Sequence, residues 1–427
     1  MIPSTSTSTT TTTLSHNQIR LDPEDPHSYI RSIQSMEEIR DHIVKTQSVQ
    51  CKYNSDVTLY ERQWDSVVKG TSLEQDGTQQ QLDSNYDTPN DCSSFSVMQF
   101  NMLAEGLSSG NDVERPFEKC KEVTNLSSAK SLYGGFTSIP HPEIILDFHL
   151  RRWRLMEVLL GGAISSSSSS DVHFDVIACE EIDRFHGFFE PLMTVAGYSG
   201  LFVPKASSPC TKFGFYSDGC ALFWKNDTFE LIDSENGVYR DSSQVYLLCT
   251  LRHIKTGQIV VFAVTHLKAG KDDENETKRR TQTRILLDEI KSFKSSKGKD
   301  FKDDIPTIIM GDFNSDPRED NSCIKYIVSD DAPIPLKSVY QLNSERTGTK
   351  HLYTTLKIRG DIVSKRAIDY IFYNAGGENK MKCTHRLSIP NEKDLEPTLL
   401  PGFKYPSDHF AVGAKFHLSN DSGMCSN

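Results

Sequence analysis

The chain has 427 residues, 37% of them hydrophobic, which is enough for one large or two ordinary domains with a substantial core. No run is long and apolar enough to span a bilayer as a helix. The formal net charge of -11 excludes a surface that attracts polyanions as a whole, so a nucleotide or nucleic acid needs a local basic patch.

Ser4 to Thr13 is a Ser/Thr tract with almost nothing to bury, and residues 1–24 are expected to be a disordered tail. From Tyr29 to Val44 the apolar residues Ile30, Ile33, Met36, Ile39 and Ile43 fall at helical spacing. That predicts an appended helix within 25–70, packed on the domain or on a partner. Residues 71–94 read as a polar linker, 95–418 as the main domain, and 419–427 as a flexible tail. Within the domain the pattern predicts helices over Phe148–Ile164 and Thr281–Phe293. Strands are expected at Asp175–Cys179, Gly219–Trp224, Val245–Arg252, Ile259–Thr265, Thr307–Met310, Ala367–Tyr373 and Phe410–Phe416. Ser165–Ser170 and much of Ser108–Pro142 read as surface insertions. The pair Val245–Arg252 and Ile259–Thr265, joined through Lys255-Thr256-Gly257, reads as an antiparallel hairpin. An α/β layered domain with mixed sheets fits this order, and neither G-x-G-x-x-G nor a P-loop is present.

The 10 cysteines are scattered without a C-x-x-C pair, and Cys179, Cys220 and Cys249 lie in apolar runs. A reducing compartment is therefore expected rather than a disulfide framework or a zinc site. The first basic side chain is Arg20, and no basic segment followed by an apolar one opens the chain. The expectation is a cytoplasmic protein, with mitochondrial association as the alternative.

Four strand-like runs end on residues suited to a metal and a phosphate. They are Val97-Met98-Gln99-Phe100-Asn101, Val176-Ile177-Ala178-Cys179-Glu180-Glu181, Ile308-Ile309-Met310-Gly311-Asp312-Phe313-Asn314 and Tyr405-Pro406-Ser407-Asp408-His409. A polar residue at the tip of a buried strand is held more rigidly than one on a loop, so the four suggest one site at one rim of a sheet. Magnesium prefers oxygen ligands and takes one or two carboxylates plus substrate phosphate. Glu181 is the first choice of ligand, with Asp408 or Asp312 nearby, while Glu180 on the same strand points to the opposite face. Asp312 and Asn314 stand two apart, which on extended backbone puts both on one face. There the carboxylate orients an attacking water and the amide holds a phosphate oxygen. His266 and His409 also end apolar runs, and Asp369 is placed to orient one imidazole. No serine or cysteine has a G-x-S-x-G-like setting, so direct attack by water is the simpler chemistry.

Phe100-Asn101, Glu181, Thr265-His266-Leu267, Gly311-Asp312-Phe313-Asn314, Ile368-Asp369-Tyr370 and Ser407-Asp408-His409 follow one another in an order that resembles the endonuclease/exonuclease/phosphatase superfamily. The resemblance covers Ser96 to Phe416. It implies a four-layer α/β sandwich, two mixed β-sheets flanked by helices, with a metal at the sheet edge. It assigns Asn101 and Glu181 to the metal and phosphate site, and Asp312 and Asn314 to positioning nucleophile and phosphate. His266 then contacts the transition state and Asp369 orients His409. The metal implied is magnesium, with manganese as the alternative, held by Glu181 and Asp408.

Pro204-Lys205, Ser208-Pro209-Cys210, Asp218-Gly219-Cys220-Ala221-Leu222-Phe223, Leu267-Lys268-Ala269 and Tyr353-Thr354-Thr355 with Lys357-Ile358-Arg359 are similar to the nocturnin family within that superfamily. This implies removal of the 2′-phosphate from NADP(H) by a monomer, with Lys205, Asp218, Lys268 and Arg359 binding substrate. Phe100, Glu180, Gly270 and Leu356 stand where that family has Trp, Gln, Arg and Trp. Lys271 or Arg279 is expected to replace the lost arginine, and Leu356 to alter the stacking of a base or nicotinamide. The rival expectations are a 3′-to-5′ exoribonuclease trimming the poly(A) tails of RNA with the same residues, and a non-catalytic scaffold. No leucine-rich repeat of the kind carried by related deadenylase subunits is visible.

Overall fold

The β-branched and aromatic runs of the domain become strands that sort into two stacked sheets. The computed structural model describes residues 28–67, 92–110, 132–161, 173–240, 242–296, 305–340, 353–395 and 399–419. The Ser/Thr tract, most of the expected linker, the Ser165–Ser170 insertion and the C-terminal tail from 420 lie outside these residues.

In the first sheet are β1 (Trp64–Ser66), β2 (Ser94–Asn101), β3 (Val176–Ile182), β4 (Tyr198–Pro204), β5 (Gly219–Lys225), β14 (Met381–Leu387) and β15 (Val412–Leu418), ordered β1-β14-β15-β2-β3-β5-β4. The second holds β6 (Phe229–Val238), β7 (Val245–His253), β8 (Ile259–His266), β9 (Thr307–Asp312), β10 (Lys337–Ser338) and β13 (Asp369–Asn374), ordered β10-β13-β9-β8-β7-β6. A separate hairpin pairs β11 (Thr355–Arg359) with β12 (Ile362–Arg366). β2 runs parallel to β3 and β8 parallel to β9, while the other ladders are antiparallel, so both sheets are mixed.

Val97, Val176, Ala178 and Leu222 of the first sheet meet Leu247, Val260, Phe262, Val264, Ile308 and Met310 of the second in a shared apolar layer. Strands covered on both faces, by the other sheet and by helices, read as continuous apolar runs rather than alternating ones. The helices are α1 (Met36–Gln50), α2 (Pro142–Ile145), α3 (Phe148–Leu159), α4 (Glu190–Val195), α5 (Asp273–Ser296) and α6 (Cys323–Ile327). α1, α3 and α4 cover the outer face of the first sheet, and α5 and α6 that of the second. The order helix, sheet, sheet, helix is the expected four-layer sandwich.

The N-terminal helix packs on the domain. Ser35 Oγ accepts from Glu38 N (3.2 Å) and Glu38 Oε2 accepts from Ser35 N (3.1 Å), a capping box that starts α1 at Met36. Ile39 and Ile43 are fully buried, His42 stacks on Trp153 at 4.3 Å, and Gln47 Nε2 donates to Glu157 Oε1 at 2.9 Å. β1 then joins the edge of the first sheet. The folded unit therefore includes residues assigned above to an appendage, because a polar gap in sequence is not a gap in space. α3 ends at Leu159 rather than Ile164, with Gly161 at φ 77° just beyond it. α5 begins earlier than its apolar pattern, since its first two turns bury the charged pair Glu276 and Arg279 rather than apolar side chains. The described cysteines are all unpaired.

Candidate active site

The polar strand ends converge, but on the edge between two sheets rather than on the rim of one. β2 and β3 deliver Asn101 and Glu181 from the first sheet; β8 and β9 deliver His266 and Asp312 from the second. Asn101 Nδ2 donates to Asp312 Oδ2 at 2.9 Å, a bond that crosses between the sheets. Ser407 Oγ donates to Asn101 O (2.7 Å) and accepts from His409 N (3.2 Å), which ties the Ser407–His409 loop to the same edge.

Glu181 owes its direction to a bulge. The β3–β5 register slips between Glu180 and Ile182, and Glu181 sits at φ 54°, a left-handed conformation that costs a non-glycine residue about 1–2 kcal/mol. Glu181 thereby faces the cleft, while Glu180 stays fully buried between the sheets. Gln99 Nε2 donates to Glu180 Oε2 (2.6 Å) and to Asp369 Oδ1 (3.0 Å). Burial, with the Asp369 charge behind it, pushes the Glu180 carboxyl well above its usual range. Glu181 accepts one long bond from Ala104 N (3.3 Å), and its other oxygen lies 4.0 Å from His266 Nε2. A carboxylate so lightly used and aimed into the cleft fits a hard cation that keeps its waters.

Asp312 is the hub. Its Oδ1 accepts from Asn314 N (2.8 Å), and its Oδ2 lies 3.6 Å from His266 Nε2 and 3.9 Å from His409 Nδ1. Asn314 does not continue the strand: it sits at φ 52°, so a turn rather than extended backbone brings its side chain back. Its Nδ2 donates to His266 Nε2 (3.0 Å) and Leu267 O (3.1 Å). Burial, then Asp369, lifts the Asp312 carboxyl to about 7. Burial, then Lys205, His409 and Lys357, holds His266 neutral, well below its usual range.

His409 pairs with Asp369: Nδ1 lies 2.9 Å from Asp369 Oδ2, which also accepts from Thr354 Oγ1 at 2.6 Å. Burial works against a charged ring, but Asp369 outweighs it and raises His409 to about 9. If Asp312 must be ionised and His409 charged, turnover rises as pH passes about 7 and falls as it passes about 9. The Asp369→Asn variant removes what holds His409 up, so its alkaline limb should move to lower pH. A profile flat from pH 6 to 10 in the parent protein would remove both assignments.

The cleft holds about 650 Å³ and is walled by cations on two sides: Lys205, Lys268 and Lys271 on one, Lys357, Arg359 and Arg366 on the other. Two of the three expected cationic grips, Lys205, Lys268 and Arg359, are already engaged. Lys205 is buried, donates to Asp218 Oδ2 at 2.5 Å and lies 3.5 Å from His266 Nδ1. Arg359 lies over the Phe136 ring at 4.4 Å and donates to Asp408 Oδ2 at 3.2 Å.

Comparison with known proteins places this geometry. The model of the endonuclease/exonuclease/phosphatase family matches residues 145–409. Nocturnin of Xenopus laevis is 31% identical over 333 residues, covering 77% of this chain and 73% of the relative. The chain belongs to the endonuclease/exonuclease/phosphatase family, with nocturnin among its relatives. A solved structure of the human nocturnin catalytic domain with a bound sulfate anion superposes with a TM-score of 0.53 at 26% identity, over 77% of this chain and 94% of that one. ANGEL2, a 2′,3′-cyclic phosphatase solved with adenosine-2′,3′-vanadate, superposes with a TM-score of 0.58 at 20% identity, over 84% and 99%, and shares the fold.

Against the family pattern, four expectations change. Asp408, expected beside Glu181 on the metal, has its carboxylate taken by Lys357 and Arg359, which with His409 hold it ionised well below the usual range despite burial. Asp218, expected to bind substrate, is fully buried under Lys205 and Ser208 and does not line the cleft. Arg279, expected to replace the family arginine at Gly270, is buried with its guanidinium committed to Glu276 and to backbone. Leu356 is 2% exposed in the core, since alternate residues of β11 face inward, so no ring can stack on it. That alternation was the available signal for Lys357, which stands two residues from Arg359 and whose Nζ lies 3.3 Å from His409 Nε2. Asp312, Asp369 and His409 also offer ligand atoms within 4.8 Å of one another, but Asp369 already accepts from Gln99, Thr354 and His409.

Proposed function

We propose that the protein is a metal-dependent phosphohydrolase that removes the 2′-phosphate of NADP+ or NADPH. The observation that carries this is a cleft of about 650 Å³, the size of a small-molecule site, with cations concentrated on both walls of a chain whose net charge is -11. A terminal phosphate carries close to two negative charges at neutral pH and is gripped by such walls more strongly than a phosphodiester. The human nocturnin catalytic domain, to which the chain is similar, holds a bound sulfate anion, which is consistent with a preference for oxyanions.

Glu181 would hold the cation, magnesium or manganese, which when bound supplies positive charge to the phosphate oxygens. Asp312, ionised above about 7, takes the proton of the attacking water. Asn101 fixes the Asp312 carboxylate across the sheet boundary, and Asn314 and His266 fix each other beside it. His409, kept charged by Asp369, donates to the oxygens on which negative charge builds. Lys268, Lys357 and Arg359 hold the rest of the dinucleotide.

One enzyme preparation, assayed side by side for phosphate from NADPH and AMP from poly(A) RNA, tests the substrate. Phosphate release is expected to dominate, NAD+ to be no substrate, and Arg359→Ala to raise KM for NADPH by about tenfold through loss of a charge-assisted contact. Dominant AMP release would establish the exoribonuclease instead. Absence of both products would leave the scaffold.

A further inference from the structure

The Lys268–Gly270 loop forms one wall of the cleft, and α5 holds its backbone from behind. Gln282 Oε1 accepts from Lys268 N at 2.9 Å. Arg279 Nη1 donates to the carbonyls of Lys268 (2.9 Å) and Gly270 (2.7 Å). The rest of the Arg279 guanidinium forks onto Glu276: Nε lies 2.7 Å from Oε2 and Nη2 contacts the same oxygen. Arg279 is fully buried and Glu276 nearly so.

The other Glu276 oxygen reaches the opposite side of the site. Oε1 accepts from Ser315 Oγ at 2.8 Å and from Cys323 N at 2.6 Å. Ser315 directly follows Asn314, whose amide reaches His266 and whose N–H is held by Asp312. One buried ion pair thus links the loop bearing Lys268 to the turn bearing Asn314. Gly270 sits at φ 127°, and a Cβ there would fall 2.3 Å from Asn275 Nδ2, itself bonded to Asp272. The loop is therefore confined from both sides.

We infer that the Arg279–Glu276 pair is a positioning brace that sets the Lys268 wall against the Asp312–Asn314 turn and so tunes affinity for a phosphorylated nucleotide. Arg279, Glu276 and Ser315 act through Lys268 and Asn314 and touch no substrate. A buried ion pair contributes little net stability over apolar packing, and what it supplies is position. The planar fork of the guanidinium reaches two carbonyls and a carboxylate at once, in a geometry that a compact ammonium does not reproduce. The inference rests on reading the cleft as a phosphate-ester site.

Three variants test it with NADPH as the probe. Arg279→Lys keeps the charge but loses the fork, and is expected to raise KM about fivefold with kcat within about twofold. Gly270→Ala leaves the ion pair intact, displaces the loop, and should give the same KM rise even if the arginine variant fails to fold. Ser315→Ala unties the other end and should lower kcat about fivefold with little change in KM. The Arg279→Lys, Ser315→Ala double variant should lose less than the product of the singles. Lowered thermal stability with unchanged KM and kcat, or strictly multiplicative losses, would overturn the brace. If NADPH is not hydrolysed, the substrate reading fails and the same split is read on AMP release from an oligoadenylate. If neither turns over, calorimetric affinity for NADPH decides: a fivefold loss in both Arg279→Lys and Gly270→Ala supports the brace, and affinity unchanged in Arg279→Lys refutes it.

Discussion

Replacing Glu181 with alanine is expected to lower phosphate release by about 10³-fold or more, because a bound cation contributes several kcal/mol to the transition state and each 1.36 kcal/mol is tenfold in rate. Glu181 accepts one long hydrogen bond, from the backbone N–H of buried Ala104, so its removal strands a single weakly held donor and the variant should still fold. Excess chelator should silence the parent protein to the same level. Calorimetry should show the variant no longer binding magnesium or manganese at concentrations that saturate the parent. Metal binding retained in Glu181→Ala, or full activity under chelation, would move the metal elsewhere, with Asp312, Asp369 and His409 the next group to test.

The Asp312→Asn variant should lose about 10³-fold in kcat with KM nearly unchanged, within the range that positioned proton transfer contributes. The side chain is nearly isosteric, but the chemistry differs on two counts. An amide cannot take a proton from water. It also offers a single accepting oxygen where Asp312 uses two, one for Asn101 Nδ2 and one for Asn314 N. One of those donors therefore loses its partner, at about 1–3 kcal/mol. Relief from burying a charge whose pKa is already raised to about 7 offsets much of that loss. Unfolding free energy should consequently stay near that of the parent at neutral pH while turnover collapses. A variant that keeps more than a tenth of parental kcat would remove Asp312 from the proton's path.

His409 carries a stability statement of its own. Its folded pKa of about 9 lies above the ordinary histidine value, so its pairing with Asp369 stabilises fully at pH below about 6.5. That contribution fades as pH rises through about 9.

The parts of the fold that could be read in advance were those with one unbroken physical signal. Val97–Phe100, Ile259–Thr265 and Thr307–Met310 are buried on both faces, and their continuous apolar runs declare it. β6 and the β11–β12 hairpin alternate or mix polar with apolar residues and stand half in water, so their patterns resemble loops. In the site, residues at the tips of buried strands were legible: Asn101, His266 and Asp312 arrive where a rigid rod would put them, while Glu181 reaches the cleft through a bulge that no short motif announces. Their charge partners were not. Nothing local to Asp408 shows that Lys357 and Arg359, roughly fifty positions earlier, will face it across the hairpin. Nor does Lys205 reveal that Asp218 will meet it below the cleft floor. Such pairs are fixed by sheet register, which a short motif does not contain.

The left-handed backbone at Glu181 sets two selective pressures against each other at one residue. Glycine would relieve the strain at φ 54° and make the folded chain easier to keep. The same change would delete the carboxylate that faces the cleft. Directed evolution for heat resistance alone should therefore drift toward glycine here and yield a hardier protein that has lost its chemistry. A screen that also demands turnover should hold glutamate in place and find its stabilising changes elsewhere.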